Sequence, residues 1–431
     1  MSGKVDPQLF DDLTWRGLIH QTTDENLPKW LTEGPRVVYA GFDPTAHSLH
    51  VGHLVALLTL RRFQKAGHRP IALIGGATGM IGDPSGRSDE RNLLSTEELE
   101  SNVQSIHQQM QSVLKFDDSQ GAMLLNNFDW MKGYGYLTFL RDIGKNFPVN
   151  VMLSKDSVKS RLERTDSGLS YTEFSYMLLQ AYDFVYLNKY HDCTLQIGGS
   201  DQWGNITAGI DLGRRMHGAT LFGITSPLLT KKDGTKMGKT ADGAVWLSPE
   251  KTSPYAFYQF WLNVGDEEVG TCLRYFTDLP KETIEELDQS RSEDAGRRES
   301  QKKLAEEVTR LIHGEAGLTK AINATETLFQ GGPIENLTDK DLLEIFHDVP
   351  RAQIERGQLN QGELTIIDAF VVAGLCSSKG EARRLIDQGG ARINNEVVSD
   401  SQKNLSPDDL ASESVIVLKK GKKKFALLRC E

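Results

Sequence analysis

Short apolar runs that stop at glycine-bearing loops, with helical segments between them, set the architecture of the first half of this chain. Arg36–Phe42 runs into Asp43-Pro44, Pro70–Ile74 stops at Gly75-Gly76, and Leu195–Ile197 stops at Gly198-Gly199. Near-continuous apolar runs of this length read as strands buried on both faces, as in a parallel sheet. After the first run, Val51, Leu54, Val55 and Leu58 recur at i, i+3, i+4, i+7, the stripe of an amphipathic helix. Strand, helix, strand predicts βαβ units in an α/β, doubly wound parallel sheet. Ligands on such sheets sit at the loops beyond the strand C-termini.

The pattern changes after about Ser248. To about Leu328 the periodicity is helical, with Leu304, Val308, Leu311 and Ile312 on one face. Residues 331–360 open with Gly331-Gly332-Pro333 and read as a connector, and a small α+β module begins at Gln361. The expected domains are therefore 1–247, 248–330, a linker 331–360, and 361–431. A length of 431 residues exceeds what one core serves. Hydrophobic content of 39% and charged content of 25% exclude a disordered or fibrous chain. No apolar run approaches the ~20 residues of a membrane span, and Met1–Pro7 resembles neither a secretory signal nor a transit peptide. Four cysteines without a CxxC fit reduced thiols in a cytosol rather than disulfides or zinc. The net charge of −10 excludes a generic nucleic-acid coat.

Five segments carry chemistry. Gly41–His53 leads into the first helix, with His50 and His53 three apart at its start. A helix N-terminus favours an anion such as phosphate, and two imidazoles beside the Thr45 hydroxyl add donors. His47, His50 and His53 also allow a metal, but no neighbouring Glu or Cys completes a set. Gly75–Arg87 holds five glycines that let a ligand approach the backbone, with Asp83 suited to an ammonium group. No Gly-Lys-Ser/Thr follows, so it is not a Walker loop. A helix over Tyr171–Asn188 puts Phe174, Met177, Leu178, Ala181 and Val185 on one face and Tyr176, Gln180 and Asp183 on the other. That polar row is either a solvated surface or a site for a small amphipathic ligand. Gly198–Asn205 is a strand-to-helix turn in which Asp201 either meets a ribose or serves as an ordinary cap. Lys231–Thr240 is a lysine-rich loop able to close over a polyphosphate, or simply a solvated one.

The first and fifth segments together resemble the paired HIGH and KMSKS signatures of class I aminoacyl-tRNA synthetases. Here they read His50-Val51-Gly52-His53 and Lys236-Met237-Gly238-Lys239-Thr240. Tyr39–Thr45, Gly82–Gly86, Glu173–Tyr176, Gln180–Asp183, Gly199–Asn205 and Ser253–Trp261 are similar to the bacterial-type tyrosyl-tRNA synthetase family. The departures are Val51 for Ile, and Gly238 and Thr240 for the two serines; the histidines and lysines stay in place. The resemblance implies a Rossmann-like catalytic domain, an α-helical anticodon-side domain and a small αL-type RNA-binding domain. It implies a tyrosine–tRNA ligase with ATP as substrate, magnesium arriving with ATP, and no dedicated protein metal site. Tyr39 and Asp183 would bond the tyrosine phenol. Asp83, Tyr176 and Gln180 would hold its ammonium group, with Gln202 in the same tyrosine set. Gly41, Asp43, Gly199, Asp201 and His53 would meet ATP, with Gly199, Asp201 and His53 at its ribose. Thr45, His50, Lys236, Lys239 and Thr240 would bind the β,γ-phosphates, helped by Arg87 and Arg91. Thr45, His50, His53, Lys236, Lys239 and Thr240 form the implied catalytic set.

The tail points to RNA. Leu364–Leu375 reads as a helix, and Ser378-Lys379-Gly380-Glu381 as a capping box for a second that ends at Gly389-Gly390. Ala391–Val398 reads as a hairpin through Asn394-Asn395, and Ser414–Leu418 and Phe425–Leu428 flank the lysine turn 419–424. Residues 361–431 carry eleven Lys and Arg against ten Asp and Glu, a net +1, which leaves −11 for the remainder. The module is similar to a small RNA-binding domain shared with a ribosomal protein. Arg383, Arg384, Arg392, Lys422 and Lys423 are its candidate phosphate contacts. Two other readings share the fold: a tryptophan–tRNA ligase, which Asp183 with Tyr39 suits less well, and a non-catalytic RNA-binding relative. The resemblance further implies a cytoplasmic homodimer, with the segment near Asn150–Tyr171 a candidate contact.

Overall fold

The computed structural model describes residues 4–85, 95–116, 121–162, 168–230, 237–240, 243–330, 334, 337–346, 349–421 and 424–431. They divide into two compact units, Met1–Lys251 with Asn263–Ile312, and Thr252–Leu262 with His313–Glu431.

The first unit is built on six strands: β1 (Gln21–Thr22), β2 (Val37–Phe42), β3 (Arg69–Ile74), β4 (Met123–Asn126), β5 (Cys193–Gly199) and β6 (Phe222–Ser226). Their order is β1-β6-β5-β2-β3-β4. All neighbours are parallel except the antiparallel edge pair β1–β6. From β2 the chain proceeds outward through β3 and β4, then returns to β5 on the other side of β2. The switch point of the sheet therefore lies between β2 and β5, where Tyr39 pairs with Gln196. The apolar runs read from sequence are β2, β3 and β5.

Helix α1 (Val51–Lys65) follows β2 and packs against β2 and β3. α2 (Thr96–Met110) starts at a Ser95–Glu98 capping box. α3 (Tyr171–His191) and α4 (Trp203–His217) flank β5. α3 departs from its expected two-faced character. Met177, Leu178, Ala181 and Val185 pack with Ala208 and Leu212 of α4, while Phe184 and Leu187 pack with Val37, Tyr39, Ile71 and Leu73 of the sheet. Covered on both sides, α3 also buries Tyr176 and Asp183 of its polar row and half-buries Gln180. The start of α3 is fixed by a Ser170–Glu173 capping box whose carboxylate also takes both guanidinium arms of buried Arg161, at 3.1 and 3.0 Å. Helix α5 (Val269–Phe276) belongs to this unit because two buried arginines collect the carbonyls at and beyond its end. Arg16 donates to Arg274, Thr277 and Leu279, and Arg62 to Arg274, Tyr275 and Thr277. These bonds satisfy acceptors that a helix end leaves open. The compact units thus part elsewhere than the expected 247/248 boundary.

In the second unit, β9 (Arg351–Ile354), β10 (Ala391–Ile393), β11 (Glu396–Val397), β12 (Val415–Lys420) and β13 (Lys424–Cys430) make a sheet of order β11-β10-β12-β13-β9. Only β13–β9 is parallel. The turn β10–β11 uses Asn394 and Asn395 at positive φ, as the hairpin signal requires. Period-2 alternation splits β12 between two cores. Ile416 and Leu418 face the helices α7 (Ile366–Val372) and α8 (Lys379–Asp387), and Val415 and Val417 pack with Leu342 and Phe346 from the segment of α6 (Asp339–Ile345). The connector expected at 331–360 is therefore integral to this module: α6 covers one sheet face and β9 pairs with β13. A boundary at 361 cuts through the sheet.

Among the described residues no helix is long and apolar enough to cross a membrane. All four cysteines are buried and unbridged.

Candidate active site

At the switch point the first unit opens into a cavity of about 700 Å³. Tyr39, Gly41 and Asp43 enter it from the end of β2, and Gly199, Asp201 and Gln202 from the end of β5. Thr45, His50 and His53 come from the loop and start of α1, Asp83 from the loop after β3, and Tyr176, Gln180 and Asp183 from α3. Residues far apart in sequence thus share one space because each follows a parallel strand or lines the helix beside it. Lys236, Arg87 and Arg91 lie outside the described residues, as do Lys422 and Lys423. The backbone of Lys239–Thr240 forms β7, paired with β8 (Gly243–Ala244).

The deep end is buried and polar. Asp183 is 1% exposed, and its carboxylate accepts from Asn127 Nδ2 and Trp130 Nε1, both at 2.9 Å. Burial outweighs these bonds and pushes its pKa up to about 7. Tyr39 is equally buried, and its hydroxyl has no hydrogen-bond partner. Burial, with the Asp183 charge second, holds that phenol well above its ordinary pKa. A buried donor left unpaired costs about 1–3 kcal/mol, so this end has capacity that the protein itself does not use.

Two hydrogen-bond groups follow toward the mouth. Asp43 accepts from Thr78 Oγ1 at 2.8 Å and from the Tyr176 hydroxyl at 3.0 Å, and Asn127 links Thr78 to Asp183. Asp83 accepts from Gln202 Nε2 at 2.6 Å, and Gln202 accepts from Gln180 at 3.2 Å. Gly75 is what allows the first group, because a Cβ there would lie 2.1 Å from Asp43 Oδ1.

At the mouth the start of α1 differs from a bare helix N-terminus. The Val51 amide donates to Val245 O, the Gly52 amide to His50 Nδ1 and the His53 amide to His50 O. His53 Nδ1 accepts the His50 amide at 3.1 Å, and the two rings stack with centroids 3.9 Å apart. With Nδ1 accepting, each neutral imidazole carries its proton on Nε2. The first three amides of α1 are thus engaged within the protein rather than left open to an anion. The same helix start holds the end of the lysine segment: Gly238 O accepts from Val245 N, whose carbonyl in turn takes Val51 N. Gly238 has φ 89° and packs on Val51, a conformation that glycine adopts without strain.

Of the RNA candidates, Arg383 and Arg384 are exposed on α8, and Arg392 donates to Asn395 O. In the lysine turn, two cations are engaged within the module. Lys420 pairs with Glu381 at 2.5 Å, and Lys419 is buried over the Phe425 ring. Among the described residues no group of three or more His, Cys, Asp or Glu could hold a metal ion.

Residues 31–330 match the family described as tRNA synthetases class I (W and Y), and residues 341–428 match the Tyrosine--tRNA ligase SYY-like C-terminal domain. The chain is 58% identical over 424 residues to the tyrosine–tRNA ligase of Rhodopirellula baltica, covering 98% of this chain and 96% of that one. The chain belongs to the bacterial-type tyrosyl-tRNA synthetases. The tyrosine–tRNA ligase of Roseiflexus castenholzii is 51% identical, with 98% and 99% covered. A C-terminally truncated mitochondrial tyrosyl-tRNA synthetase of Coccidioides posadasii aligns with TM-score 0.65 at 33% identity, over 73% of this chain and 91% of that structure. As a tyrosyl-tRNA synthetase, the enzyme activates tyrosine with ATP and transfers the tyrosyl group to tRNA.

The sequence reading of this synthetase missed Thr78, Asn127, Trp130 and Gln196. Asn127 follows the short strand β4, and an amide just past a strand end was its one signal. Gln196 interrupts the apolar run of β5; it is buried, lines the cavity, and its Oε1 has no partner.

Proposed function

We propose that tyrosine lies in this cavity with its phenol between Tyr39 and Asp183 and its ammonium group among Asp83, Tyr176, Gln180 and Gln202. ATP lies across the mouth, its ribose at Gly199, Asp201 and His53, near Gly41 and Asp43. Its β,γ-phosphates, with magnesium bound, meet Thr45, His50, Lys236, Lys239 and Thr240. The observation that carries this reading is the buried, unpartnered Tyr39 hydroxyl in the same cavity as the Asp183 carboxylate. A phenol satisfies both, accepting from Tyr39 and donating to Asp183.

The chemistry then needs alignment and charge stabilisation rather than a protein nucleophile. A tyrosine carboxylate oxygen attacks the α-phosphorus, the bond to the bridging oxygen breaks, and pyrophosphate leaves. A terminal ribose hydroxyl of tRNA next attacks the adenylate carbonyl, and AMP leaves. Phenylalanine entering the pocket leaves buried polar groups unpaired, a discrimination for which tyrosyl-tRNA synthetases are the standing example.

The C-terminal module takes tRNA phosphates through Arg383, Arg384, Arg392, Lys422 and Lys423. Two chains pair through the segment near Asn150–Tyr171, in which Val151, Leu153, Leu162 and Tyr171 are exposed in the single chain. The dimer works in the cytoplasm, where its unbridged thiols stay reduced.

Amino-acid-dependent exchange of pyrophosphate into ATP tests the pocket assignment. Exchange is expected with tyrosine, and far less with tryptophan or phenylalanine. Comparable rates with phenylalanine would sink the reading of Tyr39 and Asp183.

A further inference from the structure

We propose that Asn102 and Gln109 of α2 are positioning residues that set the Pro44–Leu49 loop, and through it Thr45 and His50, for the phosphates of ATP. The inference rests on the reading of Thr45 and His50 given above.

The stripe that α2 buries runs Leu99, Asn102, Ile106, Met110, at i, i+3, i+7, i+11. An asparagine in that stripe is costly. Asn102 is 3% exposed, and its Oδ1 has no partner. A leucine there would bury apolar surface with no unsatisfied carbonyl of its own. What the asparagine supplies is one bond, Nδ2 to Pro44 O at 2.9 Å. Two turns on, Gln109 reaches the other end of the same loop. Its Oε1 accepts from Leu49 N at 2.9 Å and Ser48 Oγ at 3.1 Å, and its Nε2 donates to His47 O at 3.3 Å. Within the loop the backbone adds Thr45 N to Asp43 O, and Leu247 N reaches Leu49 O. The α2 amides therefore clamp both ends of a segment that has Asp43 before it and His50, the cap of α1, after it. Thr45 sits inside the clamp, exposed on the cavity rim. Neither amide lines the cavity, so neither touches substrate.

The test uses the full-length enzyme with Asn102→Leu and Gln109→Leu, alone and each combined with Thr45→Ala. Tyrosine affinity is read by fluorescence titration, ATP dependence by pyrophosphate exchange, and folding by thermal melting. Misplacing a reacting group by about 1 Å costs up to about 100-fold, so kcat/KM for ATP is expected to fall about 10- to 100-fold. Tyrosine affinity is expected to stay within about twofold. Adding Thr45→Ala to Gln109→Leu is expected to cost much less than Thr45→Ala does alone, because the two changes act on one contact. Gln109 is only half-buried and keeps the test alive if Asn102→Leu does not fold. Unchanged ATP kinetics in the α2 variants, or an equal loss of tyrosine affinity, would overturn the proposal. Unchanged exchange in Thr45→Ala and His50→Asn would overturn the phosphate reading, and this proposal with it.

Discussion

The two ends of the cavity are built on opposite principles. At the deep end Tyr39 and Asp183 are each 1% exposed, and Asn127 and Trp130 fix the carboxylate from behind. At the mouth Gly41 and Thr45 are exposed, and the groups come from a loop, a helix start and a short hairpin. Burial makes each hydrogen bond at the deep end decisive, because the alternative to a correct partner is an unpaired group. Such a site selects. On the proposed placement of ATP, the mouth admits a highly charged nucleotide and releases pyrophosphate, a task for donors that strengthen as charge develops. Such a site accelerates. Recognition and rate should therefore be separable by mutation.

The largest effect is expected at the mouth. Lys239→Ala should slow adenylate formation by about 10²- to 10³-fold, the usual cost of one transition-state donor, with tyrosine affinity unchanged. Single-turnover adenylate formation measures this, and a matching loss of tyrosine binding would erase the division. Next is Asp183→Asn, which should weaken tyrosine binding by about 1.5–3 kcal/mol with a smaller effect on the rate of the bound complex. The same change should flatten the pH dependence of the empty enzyme's stability. Asp183 is raised to about 7 from 3.8, so its contribution to stability is full below 3.8 and is lost as pH rises through about 7. The asparagine variant escapes that loss, so its melting temperature relative to the unmodified enzyme should rise between pH ~5 and pH ~8. On the proposed phenol site tyrosine binds the carboxylate form, so its affinity should fall as pH drops below about 7. A flat affinity profile would place the tyrosine phenol elsewhere.

The sequence made this division only half visible. β2, β3 and β5 were legible because a strand buried on both faces is a nearly unbroken apolar run. β4 and β6 were not: Met123–Asn126 has four residues, and Phe222–Ser226 mixes glycine and hydroxyls into its run. The row Tyr176, Gln180, Asp183 was read correctly as a row, but periodicity reports which residues share a face and not what covers it. The backing of Asp183 was invisible for the same reason, since Asn127 and Trp130 reach it only across the fold. At the mouth the histidine spacing was legible, whereas the capping of the α1 amides depends on Val245, which arrives from the far side of the lysine segment. In the second unit, Arg351–Ile354 alternates over only four residues, too few to mark a strand alone; it becomes one by pairing with β13.

The smallest effect tests the deep end most sharply. Tyr39→Phe removes a hydroxyl that has no partner in the empty enzyme, so stability should hold or rise slightly. With tyrosine bound, the same change deletes one neutral hydrogen bond, worth about 0.5–1.5 kcal/mol. Tyrosine affinity should therefore fall about 2- to 12-fold, by that same range, while phenylalanine affinity holds, because the hydroxyl is unpaired both in the empty enzyme and with phenylalanine bound. Measuring both amino acids against the same variant gives the selectivity change directly. A narrowed ratio with an unaltered melting temperature assigns the hydroxyl to recognition. A lowered melting temperature with an unaltered ratio would make Tyr39 an ordinary core residue, its ring packed on Phe184, and would leave Asp183 to read the phenol alone.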